Sequence, residues 1–330
     1  MDDDALARGT LHLTRAIPVP RSVSEHAQQV IAGGCASVAE RLATPPTSPS
    51  LDDIEGWKAR IGMMDDAVTT LFAARADAVG ADVEVLTIKG IRVYAITPPG
   101  VDTDDSAPIL LDVHGGALVA GGGEACRMMG TLAAVRAGLR TWSVDYRMPP
   151  DHPYPTPLDD CLTVYRALLE RTPAAKIVVD GASAGGNLAA AMLLRARDEG
   201  LPMPAALVLI SPEADLTESG DTFSTNRGVD YVVVQGVPDL IALYASGHDL
   251  TDPYLSPVFG DFDDFPPTFL QSGTRDILLS NTVRLHRRLR AAGVHAELHV
   301  WEAMPHGGFF GAPEDAEVVT EVRRFVTDHV

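Results

Sequence analysis

The chain has 330 residues with 26 basic and 45 acidic side chains, which gives a formal net charge of −19 at pH 7. Such a surface repels phosphate backbones and anionic membranes, so a nucleic-acid or membrane partner is not expected. Apolar residues make up 46% and charged residues 22%, as in ordinary globular proteins, and a chain of this length can bury a large core without disulfide bonds.

The cysteines and the apolar pattern narrow the class further. Cys35, Cys126 and Cys161 are scattered and odd in number, which argues against a disulfide framework and a zinc cluster and favours a reducing compartment. The opening sequence MDDDALARGT lacks the apolar segment of a signal peptide, and no run of about 18 apolar residues predicts a membrane span. We therefore expect a cytoplasmic protein that binds no metal.

The first part of the chain, residues 1–75, predicts loops and helices without strand alternation. Residues 24–42 read as a helix, prolines then interrupt the chain, and residues 51–79 again favour helices. The pattern changes near residue 81, where alternating apolar residues on either side of Lys89-Gly90 predict a β-hairpin.

Beyond the hairpin, short unbroken apolar runs alternate with helical stretches. This pattern is typical of a mostly parallel sheet that is buried on both faces by helices, and with the hairpin it predicts an α/β fold with eight strands. Further strands are predicted at 108–113, 139–144, 176–180, 205–210, 267–271 and 295–301, and helices at 124–137, 157–171, 185–199, 280–292 and 314–328.

One connection in this series is unusually long. Roughly fifty residues separate the strand that ends at 210 from the strand that begins at 267, which is too long for a structureless loop. The segment predicts an inserted helix near 238–246. Together with residues 1–75 it would form a lid over the carboxyl ends of the strands, where open α/β sheets bind ligands.

The strongest single motif is GASAGG at 181–186, which has the form G-x-S-x-G. An apolar strand leads into it and a helix follows, which is the context of a nucleophile elbow. Small neighbours let the serine adopt a strained backbone conformation, and the start of the helix stabilises negative charge. The motif predicts Ser183 as a nucleophile; the alternative is a small-residue turn that merely packs closely.

A second glycine-rich turn, HGGAL at 114–118, follows the strand at 108–113. Such a turn can direct backbone N–H groups at a carbonyl oxygen that becomes negatively charged, while His114 holds the loop. The N–H of Ala184, directly after the nucleophile, is expected to be a further donor. The alternative is a plain tight turn.

The candidate acid and base lie in the last third of the chain. Asp276 follows the strand at 267–271, and His306, one of ten histidines, lies in a glycine-flanked loop after the last strand. The order Ser, Asp, His is that of α/β-hydrolases. Glu213 and Asp215 also follow a strand and are alternative acids, and Asp276 has the alternative role of a turn or helix-cap residue.

Six spaced motifs together resemble the hormone-sensitive lipase-like esterases, also called bacterial family IV esterases. The resemblance spans about residues 80–330 and rests on HGGAL at 114–118, DYRMPPDHPYPTPLDD at 145–160, GASAGGNLA at 181–189, SPEADLT at 211–217, SGTRDIL at 272–278 and PHGGF at 305–309. It implies an α/β-hydrolase fold with a triad of Ser183, Asp276 and His306. In this family the block at 145–160 braces the HGG loop.

The resemblance also implies the oxyanion donors, which fall on Gly116, Ala117 and Ala184 with Gly115 in the same turn. Two positions depart from the family pattern. Ala117 stands where a third glycine is usual, so the hole keeps its N–H but gains a methyl group. Ala182 stands where an acidic residue is usual, and one hypothesis is that Glu213 replaces that carboxylate.

The implied activity is hydrolysis of short to medium acyl esters through an acyl-enzyme, with no cofactor. The implied organisation is a helical cap from residues 1–75 and about 215–255 on a catalytic domain at 76–330, and dimers are common in the family. Leu118, Met304, Phe309 and Phe310 would line the pocket or serve as core. A lactone, carbamate or amide hydrolase with the same triad is the nearest alternative, and a non-catalytic ligand-binding relative is a more distant one.

Overall fold

The structure, a computed structural model, describes residues 9–11, 13–104 and 106–330. Within these residues the centre of the molecule is an eight-stranded sheet. Residues 1–8 of the opening sequence, on which the absence of a signal peptide was predicted, lie outside the described part. The strands are β1 Asp82–Ile88, β2 Ile91–Thr97, β3 Ile109–Val113, β4 Arg140–Asp145, β5 Ile177–Ala182, β6 Ala206–Ile210, β7 Thr268–Gly273 and β8 Ala296–Trp301.

The strand order is β1-β2-β4-β3-β5-β6-β7-β8. The predicted hairpin forms β1 and β2, which pair antiparallel with each other, and β2 pairs antiparallel with β4. From β4 to β8 every pair is parallel. The predicted fold, a mostly parallel eight-stranded α/β-hydrolase sheet flanked by helices, is confirmed.

Helices cover both faces of this sheet. They are α1 Glu25–Ala43, α2 Ile54–Asp77, α3 Glu124–Ala137, α4 Thr156–Leu169, α5 Ala184–Asp198, α6 Thr222–Thr225, α7 Pro238–Ala245, α8 Leu279–Ala291 and α9 Pro313–His329. The sequence predicted these elements to within two residues except for α6, which it did not predict, and the start of α2, which lies three residues inside the predicted range. No helix among the described residues is long and apolar enough to span a membrane.

The central strands show why their sequences are unbroken apolar runs. Every residue of β3 and β6 is buried. Neighbouring residues belong to different apolar clusters: Leu111 and Val179 pack on one side of the sheet, while Leu110 and Val178 pack on the other. Since successive side chains of a strand point to opposite faces, a sheet covered on both sides needs an apolar residue at every position.

The two segments predicted to form a lid contact each other. Arg41 of α1 donates to the carbonyl oxygens of Tyr231 (2.6 Å) and Val232 (2.9 Å), and Gly34 lies against the ring of Tyr231. A side chain at Gly34 would collide with this ring. The described part of residues 1–75 and the excursion between β6 and β7 therefore pack together at this point.

Candidate active site

Ser183 lies in the sharp turn between β5 and α5, with φ 56° and ψ −123°. A residue other than glycine rarely adopts this backbone conformation. Four backbone hydrogen bonds hold it: the N–H of Ser183 donates to Ile210 O (2.9 Å), and its carbonyl accepts from Gly186 (2.9 Å), Glu213 (3.0 Å) and Asn187 (3.3 Å). The strain is thus balanced by bonds to the end of β6 and the first turn of α5.

The small residues around Ser183 are required by close backbone contacts. A Cβ atom on Gly185 would collide with the carbonyl oxygen of Val113, and one on Gly181 would collide with that of Gly185. A Cβ atom on Gly186 would lie 2.8 Å from the side chain of Pro212. The motif is therefore glycine-rich because β3, β5 and α5 meet there without room for side chains.

His306 lies between the predicted nucleophile and the predicted acid. Its Nε2 lies 2.9 Å from Ser183 Oγ, and its Nδ1 lies 3.2 Å from Asp276 Oδ1. With the proton on Nδ1, the imidazole donates to the carboxylate and accepts the serine hydroxyl proton. Asp276 is fully buried, His306 is 8% exposed and Ser183 is partly exposed. The three residues singled out in the sequence thus form one chain of hydrogen bonds, and its serine end is accessible to solvent.

Burial and charge act in opposite directions on this pair. Burial alone would raise the pKa of Asp276, but the His306 charge and hydrogen bond outweigh it, so the pKa is lowered. Burial alone would lower the pKa of His306, but the negative charges of Asp276, Asp230 and Glu213 outweigh it, so the pKa is raised above 6.5. An ionised acid beside a histidine that accepts a proton readily is the arrangement a general base needs.

The carboxylate of Asp276 is fixed on both oxygens. Ser272 Oγ donates to Oδ2 (2.7 Å), and the N–H of Leu278 donates to Oδ1 (2.9 Å). The alternative acid Asp215 is engaged elsewhere, since it forms an ion pair with Arg284 and accepts from Thr217 and Ser219. Asp276 is therefore the acid that the structure brings to His306.

The HGGAL turn lies against the elbow. Gly116, Ala117 and Leu118 all have positive φ (133°, 53° and 66°), and the N–H groups of Val119 and Ala120 donate to Gly116 O. A Cβ atom on Gly115 would lie 2.9 Å from Ala182 O and 3.3 Å from Ser183 Cβ. Gly115 therefore allows the turn to approach the nucleophile closely.

A stacked pair of rings braces this turn, and two carboxylates bind the loop that follows it. The His114 and Tyr146 rings stack with centroids 4.1 Å apart, and Tyr146 Oη donates to His114 O (2.8 Å). Asp65 of α2 accepts from the N–H of Gly121 (2.6 Å), and Asp145 accepts from that of Gly123 (2.9 Å). Asp65 was not singled out in the sequence; it connects the N-terminal helices to the turn.

Three potential metal ligands also meet beneath the turn. One ligand atom each of His114, Cys126 and Asp145 lies within 4.8 Å of the others. Burial raises the pKa of the Cys126 thiol well above its usual value, so the group is a neutral thiol, and Cys126 Sγ lies 3.4 Å from Ser143 Oγ. The neutral thiol is a weak metal ligand, and the expectation that the protein binds no metal stays a prediction.

The four residues considered for the pocket differ in burial. Leu118, Met304 and Phe309 are fully buried in the two apolar clusters, which favours the core role for them. Phe310 is partly exposed, and its ring lies 6.4 Å from that of Phe72 in α2. Of the four residues, Phe310 is thus the one whose partial exposure fits a pocket open to solvent, and it lies next to an N-terminal helix.

Sequence analysis missed two residues of the excursion between β6 and β7. Asp230 accepts hydrogen bonds from the N–H groups of Ile277 and His306, and Asn226 donates to the carbonyl oxygen of Asp276. Glu213 was considered as an alternative acid and as a replacement for a missing carboxylate; it is buried, and its N–H donates to Ser183 O in the elbow. Asp230 and Asn226 lie in no recognisable motif, so only the folded chain reveals them.

Comparison with known proteins agrees with this geometry. Residues 110–310 match a family model described as an alpha/beta hydrolase fold. An esterase of Acinetobacter venetianus is 32% identical over 73% of this chain and 82% of its own length. The solved structure of an esterase named E25 is 34% identical, with a TM-score of 0.88 and coverage of 98% of this chain and 99% of that one. An esterase from the bacterial hormone-sensitive lipase family is 32% identical, with a TM-score of 0.74 and coverage of 93% and 98%.

Proposed function

Since this chain belongs to the α/β-hydrolase family, as one of its hormone-sensitive lipase-like carboxylester hydrolases, we propose that it cleaves short to medium acyl esters with Ser183, His306 and Asp276 as its triad. The observation that carries the proposal is the pair of contacts at His306, 2.9 Å to Ser183 Oγ and 3.2 Å to Asp276 Oδ1. These are the contacts of nucleophile to base and of base to acid that acyl transfer needs.

In the first half of the reaction, Ser183 Oγ attacks the ester carbonyl while His306 Nε2 takes the hydroxyl proton. The resulting tetrahedral species collapses, His306 returns the proton to the leaving alcohol, and an acyl-enzyme remains. The lowered pKa of Asp276 keeps the carboxylate ionised, and in this state it holds the Nδ1–H tautomer and stabilises the imidazolium. In the second half, water attacks the acyl-enzyme by the same proton path and the free acid leaves.

The negative charge on the carbonyl oxygen is stabilised by backbone N–H groups. We assign this role to Gly116, Ala117 and Ala184, with Gly115 in the same turn. The support is that Gly115 lies against Ser183 Cβ and that Ala184 begins α5, whose N-terminal dipole favours negative charge. Removing one such donor in other hydrolases lowers kcat by about 10²–10³-fold. The reaction is complete with these groups and requires no cofactor.

The N-terminal segment and the excursion at about 215–255 are proposed to form the cap over the site. Two contacts of α2 support this: Asp65 binds the loop that follows the HGGAL turn, and Phe72 meets Phe310 next to the base loop. Phe72→Ala is expected to change KM for butyrate esters several-fold more than kcat. An unchanged KM would contradict a cap that contacts substrate.

The first test compares wild-type protein and Ser183→Ala on p-nitrophenyl butyrate. Wild type is expected to turn over, and the variant is expected to lose roughly 10⁴-fold or more in kcat because the triad residues act as a unit. Ser37→Ala, in an exposed turn of α1, is the matched serine control and is expected to keep full activity. A Ser183→Ala protein with near-normal turnover would end the triad proposal.

Substrate range is tested with p-nitrophenyl acetate, butyrate and palmitate. The expected order places palmitate last, because the family resemblance implies short to medium acyl chains. A preference for palmitate would contradict the proposed range. A serine-directed fluorophosphonate should label wild type and not Ser183→Ala; labelling without ester turnover would favour a lactone, carbamate or amide as the substrate.

A further inference from the structure

Asp230 is a fully buried carboxylate in the excursion between β6 and β7. Its Oδ2 accepts hydrogen bonds from two backbone N–H groups, Ile277 at 3.0 Å and His306 at 3.1 Å. Its Oδ1 accepts from Val232 at 2.8 Å and Val233 at 3.2 Å. One oxygen of Asp230 therefore joins the loop after β7 to the loop after β8, at the residue that follows Asp276 and at His306 itself.

This bridge acts on the contact that the mechanism depends on. The 3.2 Å separation of His306 Nδ1 and Asp276 Oδ1 is set by two loops that belong to different strands. Asp230 Oδ2 binds the backbones of both loops and so limits their relative movement. A displacement of about 1 Å at a catalytic group can lower the rate about 10²-fold.

Two further side chains of the same segment bind the loop that carries Asp276, which we call the acid loop. Thr222 Oγ1 donates to Ile277 O (2.7 Å), and Asn226 Nδ2 donates to Asp276 O (2.8 Å). The N–H of Asn226 donates to Thr222 O and the N–H of Asp230 donates to Asn226 O (3.0 Å each), so backbone hydrogen bonds link the three residues at intervals of four positions. Asp230 is the last of these three, and it is the one that also reaches His306.

The charge of Asp230 acts on the histidine as well. Burial raises the pKa of Asp230 to about 6, with Asp276 adding to the shift and His306 opposing it. Above that pH the carboxylate is negative, and it is one of the groups that raise the pKa of His306. The other charged groups around the imidazole are Asp276 on the β7 loop and Glu213 at the end of β6.

We propose that Asp230 is a positioning residue for the triad. Asp230 holds the loops of Asp276 and His306 in a fixed relative position and stabilises the imidazolium formed during acyl transfer. The inference rests on the proposed function of the triad. It assigns to the excursion a part in the reaction that is separate from covering the site, because Asp230 contacts the acid and base loops from inside the protein.

Asp230→Asn tests both parts of the proposal. The amide keeps the size of the side chain but removes the charge and turns one oxygen into a donor facing N–H groups. For p-nitrophenyl butyrate, kcat is expected to fall about 10–100-fold with KM within about threefold of wild type. The acid limb of the kcat/KM profile is expected to move to lower pH by about half a unit or more, because an opposite charge near the imidazolium is lost.

Asp215→Asn is the matched control. Asp215 is also fully buried in the excursion, but its partners are Thr217, Ser219 and Arg284, none of which belongs to the acid or base loop. This variant is expected to lose stability while keeping the wild-type acid limb. Equal movement of the acid limb in both variants would overturn the assignment to Asp230, since a general loosening of the excursion would then explain it.

Titration of the His306 ring protons by NMR, assigned by their absence in His306→Gln, gives a readout that does not need ester turnover. A lower His306 pKa in Asp230→Asn supports the proposal even if wild-type protein fails on esters, which would count against the proposed function alone. An unchanged His306 pKa and unchanged kcat would overturn it. If Asp230→Asn does not fold, Asp230→Glu keeps the charge and is expected to lower kcat while leaving the acid limb in place; a shifted limb there contradicts the proposal.

Discussion

The proposed nucleophile and the proposed acid–base pair are held by different kinds of structure. Ser183 lies in one continuous strand–turn–helix unit, where glycines permit close backbone contacts. Asp276 and His306 lie on separate loops, and the side chains that fix these loops come from a distant part of the chain. One short continuous segment of the sequence therefore specifies the elbow. The acid–base pair depends instead on contacts between residues that lie far apart in the sequence. Substitutions of the elbow glycines should therefore lower stability, and substitutions at the two loops should lower the catalytic rate.

Among substitutions in the two loops, the largest effect is expected for Asp276→Asn. The amide cannot hold the Nδ1–H tautomer or stabilise the imidazolium, so kcat should fall roughly 10⁴-fold while the fold is kept. Steady-state kinetics and the melting temperature measure the two quantities. Ser272→Ala, which removes one hydrogen bond to Asp276 Oδ2, is the graded control and should lose about tenfold. A variant at Asp276 that keeps a tenth of its activity would assign the acid's role to another residue.

Within the elbow, Gly185→Ala is expected to act on stability. The new methyl group would collide with Val113 O, so β3 or α5 must move, which costs about 3 kcal/mol of unfolding free energy. Gly62→Ala is the matched control, because Gly62 is a helical glycine of α2 with open space around its Cα, and it should gain about 0.5–1 kcal/mol. Urea denaturation distinguishes them. Equal stability of the two variants would show that the elbow is not a packing constraint.

The same contrast explains what could be read from the sequence. The strands, the flanking helices and the family were predicted and are confirmed, because apolar runs and spaced motifs are local signals. The triad was predicted from motif and chain order, and its geometry supports that proposal. Asp230 was not predicted, because it lies 47 residues from Ile277 and 76 from His306 and a lone aspartate carries no sign of such partners. Leu118 and Phe309 were ambiguous because an apolar residue beside a motif looks the same in core and pocket.

Glu213 belongs to both regions, since its N–H holds the elbow and its charge acts on His306. Burial raises the pKa of Glu213 to about 7, with Glu218 adding to the shift and His306 opposing it. The folded state thus holds this proton more tightly than the unfolded state, whose glutamate titrates near 4.5. The contribution to stability is full below pH 4.5 and is lost as pH rises through 7.

Glu213→Gln should therefore be more stable than wild type at pH 8, by about 2 kcal/mol, with the difference vanishing near pH 4.5. Denaturation curves at several pH values measure this difference. If Glu213 in addition replaces the carboxylate that is absent at Ala182, the Glu213→Gln variant should lose activity as well as gain stability at pH 8. Unchanged rate and unchanged stability at every pH would refute both effects.

The smallest effect is expected for Asn226→Ala, which distinguishes the hydrogen bond to the loop of Asp276 from the charge of Asp230. Asn226→Ala removes the 2.8 Å bond to Asp276 O and leaves that carbonyl without this donor, so stability should fall by about 1 kcal/mol and kcat severalfold. The acid limb of the pH profile should not move, because Asn226 carries no charge. Thr225→Ala, on an exposed neighbour that bonds only within its own turn, should change neither quantity. An Asn226→Ala protein with a shifted acid limb would mean that the segment around Asp230 moves as a unit, and the pH effect of Asp230→Asn would then report loop position together with charge.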